Sequence, residues 1–389
     1  MRGVIYLDHA ATTPVDPEVL KEMLLWFGEY YGNASSMYSL GQKSSQALIH
    51  ARQQVAKLIN APVDTVYFTA CGTESDNWAV KGTAFASQAK GNHLVSTAIE
   101  HHAVLESVEA MKRHGFTYTF VPVDGNAMVD PDAVRKAITD KTVLVSVMHA
   151  NNEVGTIQPV EEIARICREK GIVFHVDAVQ TVGNYPVDVE KIGCDLLSAS
   201  AHKLYGPKGV GVLYIRKGTK IVDLLDGGGQ ERNRRAGTEN VAGIVGFGKA
   251  AELALETLPQ EVKHCTRLRD RLKDGIFARI PDVRLNGHPT QRLPNNLNVT
   301  VEGIEGEAMM LRLDMQGICT STGSACTTGS LEPSHVLMAM GLKHEQAHGS
   351  QRFTLGRGTT QAEIDFTIEA FAQVVEVLRE LSPMYKRTV

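Results

Sequence analysis

The sequence has no apolar run near the roughly 18 residues that a membrane-spanning helix requires, so no helical membrane span is expected. It has no excess of positive charge either. Lysine and arginine number 40 against 44 acidic residues, a net charge of −4, which gives no general attraction to nucleic acid or anionic lipid. Its six cysteines, at 71, 167, 194, 265, 319 and 326, form no CxxC pair and no zinc-like spacing. Neither the Walker phosphate loop nor GxGxxG is present, which argues against an NTPase or a dinucleotide enzyme. Internal repeats and low-complexity stretches are also absent. The opening Met1–Asp8 turns polar too early for a signal peptide, so a cytoplasmic protein with free thiols is expected.

What is present is a chain of 389 residues, 43% hydrophobic and 22% charged, enough for two cores. From about residue 45 to 215, short apolar runs alternate with helical periodicity. Strands are expected at 65–70, 93–97, 143–148, 173–176, 196–198 and 210–215, with helices at 46–59, 74–86, 104–112 and 159–170. That alternation predicts an α/β fold with a mostly parallel sheet covered on both faces. A helix is expected from Asn240 to Glu256, with Pro259 as a break, and an amphipathic helix from Ala362 to Leu381 in a smaller α+β unit. The expected division is a large domain over 14–257 and a small one formed by 1–13 and 258–389.

Ligands gather at the carboxyl ends of strands in such sheets, and three expected strand ends carry polar groups. After the first, Cys71-Gly-Thr-Glu-Ser75 leads into a helix, whose free N–H groups suit a phosphate; Thr73 alone would be an ordinary cap. The strand ending at Asp177-Ala-Val-Gln180 places an acid where burial demands a partner, either a basic side chain or a protonated ring nitrogen. The third gives Ser200-Ala-His-Lys203, with a lysine able to form a Schiff base. Together, a phosphate cradle, an acid and a lysine are the parts of a pyridoxal phosphate site.

These two motifs, Asp177-x-x-Gln180 and Ser200-Ala-His-Lys203, resemble those of the class V aminotransferase-like enzymes of fold type I. Tyr6-Leu-Asp-His-Ala-Ala-Thr-Thr-Pro14, Arg234-Arg-Ala-Gly-Thr-Glu-Asn240 and Gly323-Ser-Ala-Cys-Thr-Thr-Gly-Ser-Leu-Glu-Pro-Ser334 narrow the resemblance to cysteine desulfurases of the nitrogen-fixation and housekeeping iron–sulfur branch. The resemblance implies pyridoxal 5'-phosphate held by Lys203, which would also shuttle protons. It implies Asp177 at the pyridine nitrogen, Gln180 and Asn152 beside the phenolic oxygen, and His101 stacked on the ring with a part in proton transfer. Gly72, Thr73, Ser200 and His202 would bind phosphate, joined by Thr238 from the partner of a homodimer. Arg352 would clamp the substrate carboxylate with its planar fork, and Asn152 would help hold the substrate.

Cys326 stands among Gly, Ser, Ala and Thr, the composition of an exposed loop, where a thiol is a ready nucleophile. By contrast, Cys167, Cys194 and Cys319 read as structural, and the part played by Cys71 is open. The resemblance implies that the Cys326 thiolate takes sulfur from L-cysteine as a persulfide, leaving L-alanine, and passes it to an acceptor such as an iron–sulfur scaffold protein. It also admits Cys326 as a transient ligand of a forming cluster, the one metal contact expected. A selenocysteine lyase or another class V aminotransferase would share most of the set. Ala34, Tyr38 and Gly358 depart from the family pattern at positions away from the expected cofactor contacts. The Arg232-Asn-Arg-Arg235 cluster reads as an interface or cofactor-side patch, without direct nucleic-acid binding.

Overall fold

A computed structural model describes residues 3–322, 332–383 and 385 of the chain; Cys326, Gly323 and the rest of 323–331 lie outside the described residues. In chain order the strands are β1 (Ile5–Tyr6), β2 (Val66–Thr69), β3 (His93–Thr97), β4 (Thr117–Val121), β5 (Thr142–Met148) and β6 (Val173–Asp177). They continue with β7 (Leu196–Ser200), β8 (Gly211–Ile215), β9 (Val283–Asn286), β10 (Asn296–Val301), β11 (Ile318–Cys319) and β12 (Ser350–Thr354).

Seven strands form the main sheet in the order β2-β8-β7-β6-β5-β3-β4. The β7-β6-β5-β3-β4 run is parallel, while β8 is antiparallel to both neighbours. Every residue of β5 and β7 is buried, as expected when helices cover both faces of a sheet. The helix Val160–Glu169 shows how the cover is made: Val160, Ile163, Ala164, Ile166 and Cys167 form its buried stripe. A second sheet, β12-β10-β9, is antiparallel, and β1 pairs in parallel with β11. No helix among the described residues is long and apolar enough to cross a membrane.

Pro259 does not break the chain where the sequence suggested. One helix runs from Val241 to Arg279, 39 residues, with Pro259 inside it. Proline removes one backbone hydrogen bond and costs about 3 kcal/mol in a helix interior. Packing on both sides offsets that cost. Ile244, Phe247 and Ala251 enter the core under the large sheet, and Leu268, Leu272 and Ile276 enter a second core with Val299, Phe353 and Phe371.

A second local feature opposes intrinsic preference. Glu231, Arg232 and Asn233 are consecutively left-handed, at φ 43°, 58° and 61°, a conformation that costs a non-glycine residue roughly 1–2 kcal/mol. Glu231 is held by both terminal nitrogens of Arg52, at 2.6 and 2.8 Å, and accepts the Phe68 N–H at 2.8 Å. Arg232 donates to the Val66 carbonyl and stacks on Tyr67, while Arg235 pairs with Glu74. The arginine cluster is therefore committed to contacts within the chain, and it fixes the path of the segment leading to Thr238.

Candidate active site

Five parallel strand ends converge on a cavity of about 200 Å³. Gly72 and Thr73 follow β2, His101 follows β3, Asn152 follows β5, Asp177 ends β6, and Ser200 ends β7 just before His202 and Lys203. Gln180 completes the set, so nine of the residues singled out in the sequence line one cavity.

The end near β2 is built for close approach. A Cβ on Gly72 would lie 2.9 Å from Val179 Cγ2, so any larger residue would fill the space in front of the helix start. Gly211 on β8 is required for a related reason: its Cβ would fall 2.6 Å from the Cys71 carbonyl carbon. The predicted helix at 74–86 begins earlier, at Gly72, which brings its first N–H groups into the cavity wall. Ser200 Oγ is buried there without a hydrogen-bond partner, a donor left for something not made of protein. His202 lines the same end, its Nδ1 3.1 Å from Thr12 Oγ1, and burial together with Lys203 lowers its pKa to about 4.

Asp177 is 6% exposed and accepts the Val179 N–H at 2.9 Å. Burial raises its pKa to about 6, opposed by that hydrogen bond and by Lys203. The Lys203 ammonium donates to the carbonyls of Ala10 at 2.5 Å and Ala11 at 2.8 Å. Gln180 Nε2 also donates to Ala10, at 3.1 Å, so the segment following β1 closes one side of the cavity. His101 caps the helix His102–Ala110 by accepting the Ala103 N–H on Nδ1, which places the ring proton on Nε2. Burial, then the nearby Lys203 charge, lowers its pKa to about 4, so the ring is neutral.

Arg352 on β12 does not line this cavity but is joined to it. Its Nη1 donates to the Asn152 carbonyl at 3.0 Å and its Nη2 to Asp8 at 2.9 Å, while Nε is buried without a partner. Thr238 is exposed and lies away from the cavity of its own chain. Cys167 and Cys194 are buried in the core, where burial pushes both thiols up to about 12. Cys71 is half-buried at the cavity edge.

Three functional candidates were not singled out in the sequence: Asp8, Asp76 and Glu100. Asp8 stood inside a quoted motif and Asp76 directly follows the Cys71–Ser75 segment, but only the fold shows what they face. Glu100 is fully buried, takes the Thr97 hydroxyl at 2.6 Å and the Met148 N–H at 3.0 Å, and has a pKa raised by burial to about 8.

A cavity with a phosphate-sized helix start, an unpaired serine hydroxyl, a buried carboxyl and a lysine amine fits pyridoxal phosphate at both of its ends. The family model "Aminotransferase class-V" matches residues 5–366. A cysteine desulfurase IscS of Clostridium botulinum is 52% identical over 388 residues, covering 99% of this chain and 98% of the relative. The enzyme of the same name from Methanosarcina thermophila is 53% identical, covering 98% and 94%. Among solved structures, a NifS-like protein superimposes with a TM-score of 0.91 at 40% identity, covering 96% of this chain and all of that one. Another, from Rickettsia africae, gives 0.86 at 30%, covering 96% and 99%. The chain therefore belongs to the class V aminotransferase family and, within it, to the pyridoxal phosphate-dependent cysteine desulfurases.

Proposed function

We propose that the chain converts L-cysteine to L-alanine and carries the released sulfur on Cys326 as a persulfide. The observation that carries this reading is the meeting of Lys203, Asp177 and His101 in one cavity, with Arg352 one hydrogen bond away through Asn152. A solved relative, 32% identical with a TM-score of 0.81 and covering 92% of this chain, is described as SspA in complex with cysteine, which supports the substrate class.

Lys203, Asp177, Gln180 and His101 would hold the cofactor body, and Gly72, Thr73, Ser200 and His202 its phosphate. Bound there, pyridoxal phosphate supplies an electron sink for negative charge at the amino-acid Cα. Lys203 Nζ would take the Cα proton, and neutral His101 would offer a proton from Nε2. Arg352 receives the substrate carboxylate in exchange for Asp8. The Cys326 thiolate then attacks the substrate sulfur. A sulfur–sulfur bond forms, the substrate carbon–sulfur bond breaks, and the carbon skeleton keeps the electron pair and becomes alanine on protonation. An acceptor, proposed to be an iron–sulfur scaffold protein, takes the outer sulfur. The product balance tests this. With excess thiol reductant, alanine and sulfide should appear one for one from L-cysteine, whereas pyruvate or a keto acid as the main product would exclude the reading.

The same proposal includes a homodimer. Leu24, Phe27, Tyr31, Met37 and Tyr38, on and after the helix Pro17–Gly28, are 59%, 65%, 71%, 90% and 62% exposed, an apolar face that water does not favour. A two-fold partner would cover it and bring Thr238 to the neighbouring phosphate site. Sedimentation should give twice the chain mass, and Phe27→Asp with Met37→Asp should give monomer; a monomeric wild type would sink the idea. The free thiols of Cys71, Cys167, Cys194, Cys265 and Cys319 suit a reducing compartment, and the cytoplasm is the proposed location.

A further inference from the structure

Glu153 is a buried carboxyl that the proposed mechanism leaves unused. It is 5% exposed and follows Asn152 in the turn after β5. Its backbone is held from two sides. Asn151 Oδ1 accepts the N–H groups of Glu153 and Val154, both at 2.9 Å, and the Glu153 carbonyl accepts from Asn298 Nδ2 on β10 at 3.0 Å. Burial raises the carboxyl pKa to about 7, opposed by the Ser334 hydroxyl and then by the Arg352 charge. A buried carboxyl costs stability unless its oxygens find donors.

The donor here is Ser334. Its Oγ donates to Glu153 Oε2 at 2.5 Å, and Ser334 is itself 4% exposed. The same oxygen accepts the Leu337 N–H at 3.2 Å and so caps the helix His335–Ala339. One residue on, His335 Nε2 donates to the Glu100 carbonyl at 2.9 Å. Glu153 adjoins Asn152 and Glu100 adjoins His101, so the chain at 334–335 is bonded beside two residues of the cavity wall. Val336, Leu337 and Met340 pack with Ile99, Met148 and Val154 and hold the helix in place. The polar bonds are left to fix where the chain enters it.

That point matters because of what the chain carries. Cys326 lies five residues after Ser321 and eight before Ser334. Ser321 is fixed by two backbone hydrogen bonds with Arg352, at 2.7 and 3.2 Å. Arg352 Nη1 in turn donates to the Asn152 carbonyl, so both fixed points meet at the turn that holds Asn152 and Glu153. The effective concentration of a tethered nucleophile depends on where its tether ends are held, and a misplacement of about 1 Å can cost roughly a hundredfold in rate.

We propose that Glu153 is a positioning residue for sulfur capture: by accepting the Ser334 hydroxyl it fixes the return end of the chain that brings Cys326 to the substrate sulfur. The inference rests on the assignment of sulfur capture to Cys326. The bond asks residue 153 for an oxygen acceptor and not for a charge.

A single turnover of the holoenzyme with L-cysteine tests this through two signals. One is the visible absorbance change of the cofactor. The other is persulfide on the peptide carrying Cys326, followed by alkylation and mass mapping. Glu153→Met fills the space without accepting the hydroxyl; it should leave the first rate as in wild type and slow the second about tenfold. Glu153→Gln, which keeps an acceptor at nearly the same place, should recover most of that loss. Persulfide forming at the wild-type rate in Glu153→Met overturns the proposal. Equal slowing of both signals also overturns it, because Glu153 would then act on substrate or cofactor binding. Glu153→Gln as slow as Glu153→Met overturns the acceptor role. If Glu153→Met does not fold, Ser334→Ala cuts the same bond from the other side and decides by the same two signals. Cys326→Ala separates the underlying reading. Sulfide release at the wild-type rate from that variant fails the assignment of Cys326, whereas its loss there, with wild-type persulfide formation in Glu153→Met, fails the positioning alone.

Discussion

Lys203→Ala is expected to lower L-cysteine turnover by roughly ten-thousand-fold, the size of effect that follows loss of a positioned proton carrier. The variant loses two functions at once, because the same amine that would hold the cofactor would afterwards move the Cα proton. It also changes the charge balance. Lys203 is the cation that opposes the effect of burial on Asp177, so the Asp177 pKa should climb above its value of about 6 when the amine is removed. Borohydride reduction followed by peptide mapping provides the check. In wild type the cofactor should be fixed to the peptide carrying Lys203, while the variant should release it on denaturation. A variant that keeps wild-type turnover, or cofactor fixed to another lysine, would remove Lys203 from its assigned place.

The second large effect separates the two halves of the proposed reaction. Cys326→Ala should reduce sulfide release by at least about a thousandfold, since Cys326 is the proposed source of the attacking sulfur. The groups lining the cavity are unchanged in this variant, so mixing with L-cysteine should still alter the visible absorbance at the wild-type rate. Stopped-flow absorbance and sulfide assay on the same sample read both halves. Full sulfide release from Cys326→Ala would rule out the persulfide route, whereas loss of both signals would place Cys326 in substrate binding rather than sulfur capture.

The strand ends were legible in the sequence because each one is local. A run such as Val173-Phe-His-Val176 followed by Asp177 states both its burial and its exception within a few residues. Ser200-Ala-His-Lys203 after Leu196-Leu-Ser198 does the same. The burial of Asp76 could not be read that way. It is polar in sequence, on a short polar stretch, and becomes buried only because β6, β7 and the loop after β3 close around it. Glu100 beside His101 was masked for the same reason. Arg352 was visible only through the family resemblance, and its pairing with Asp8 joins residues 344 positions apart. Among the elements, β4 was not anticipated; it lies at the sheet edge, where Thr117 to Phe120 are not fully buried and the apolar signal is diluted. Pro259 misled for a definite reason: local propensity reports the cost of a proline, not the packing on either side that offsets it.

That unbroken helix also constrains how the protein can deform. At 1.5 Å per residue its 39 residues reach about 58 Å, and a single rod seated in both cores transmits displacement rather than absorbing it. Its weakest point is defined, because Pro259 has no N–H for the Leu255 carbonyl. Relative motion of the two cores along this connection should then behave as the flexing of a spring about one notch, with a restoring force toward a single rest position, and not as a free swing between separate poses.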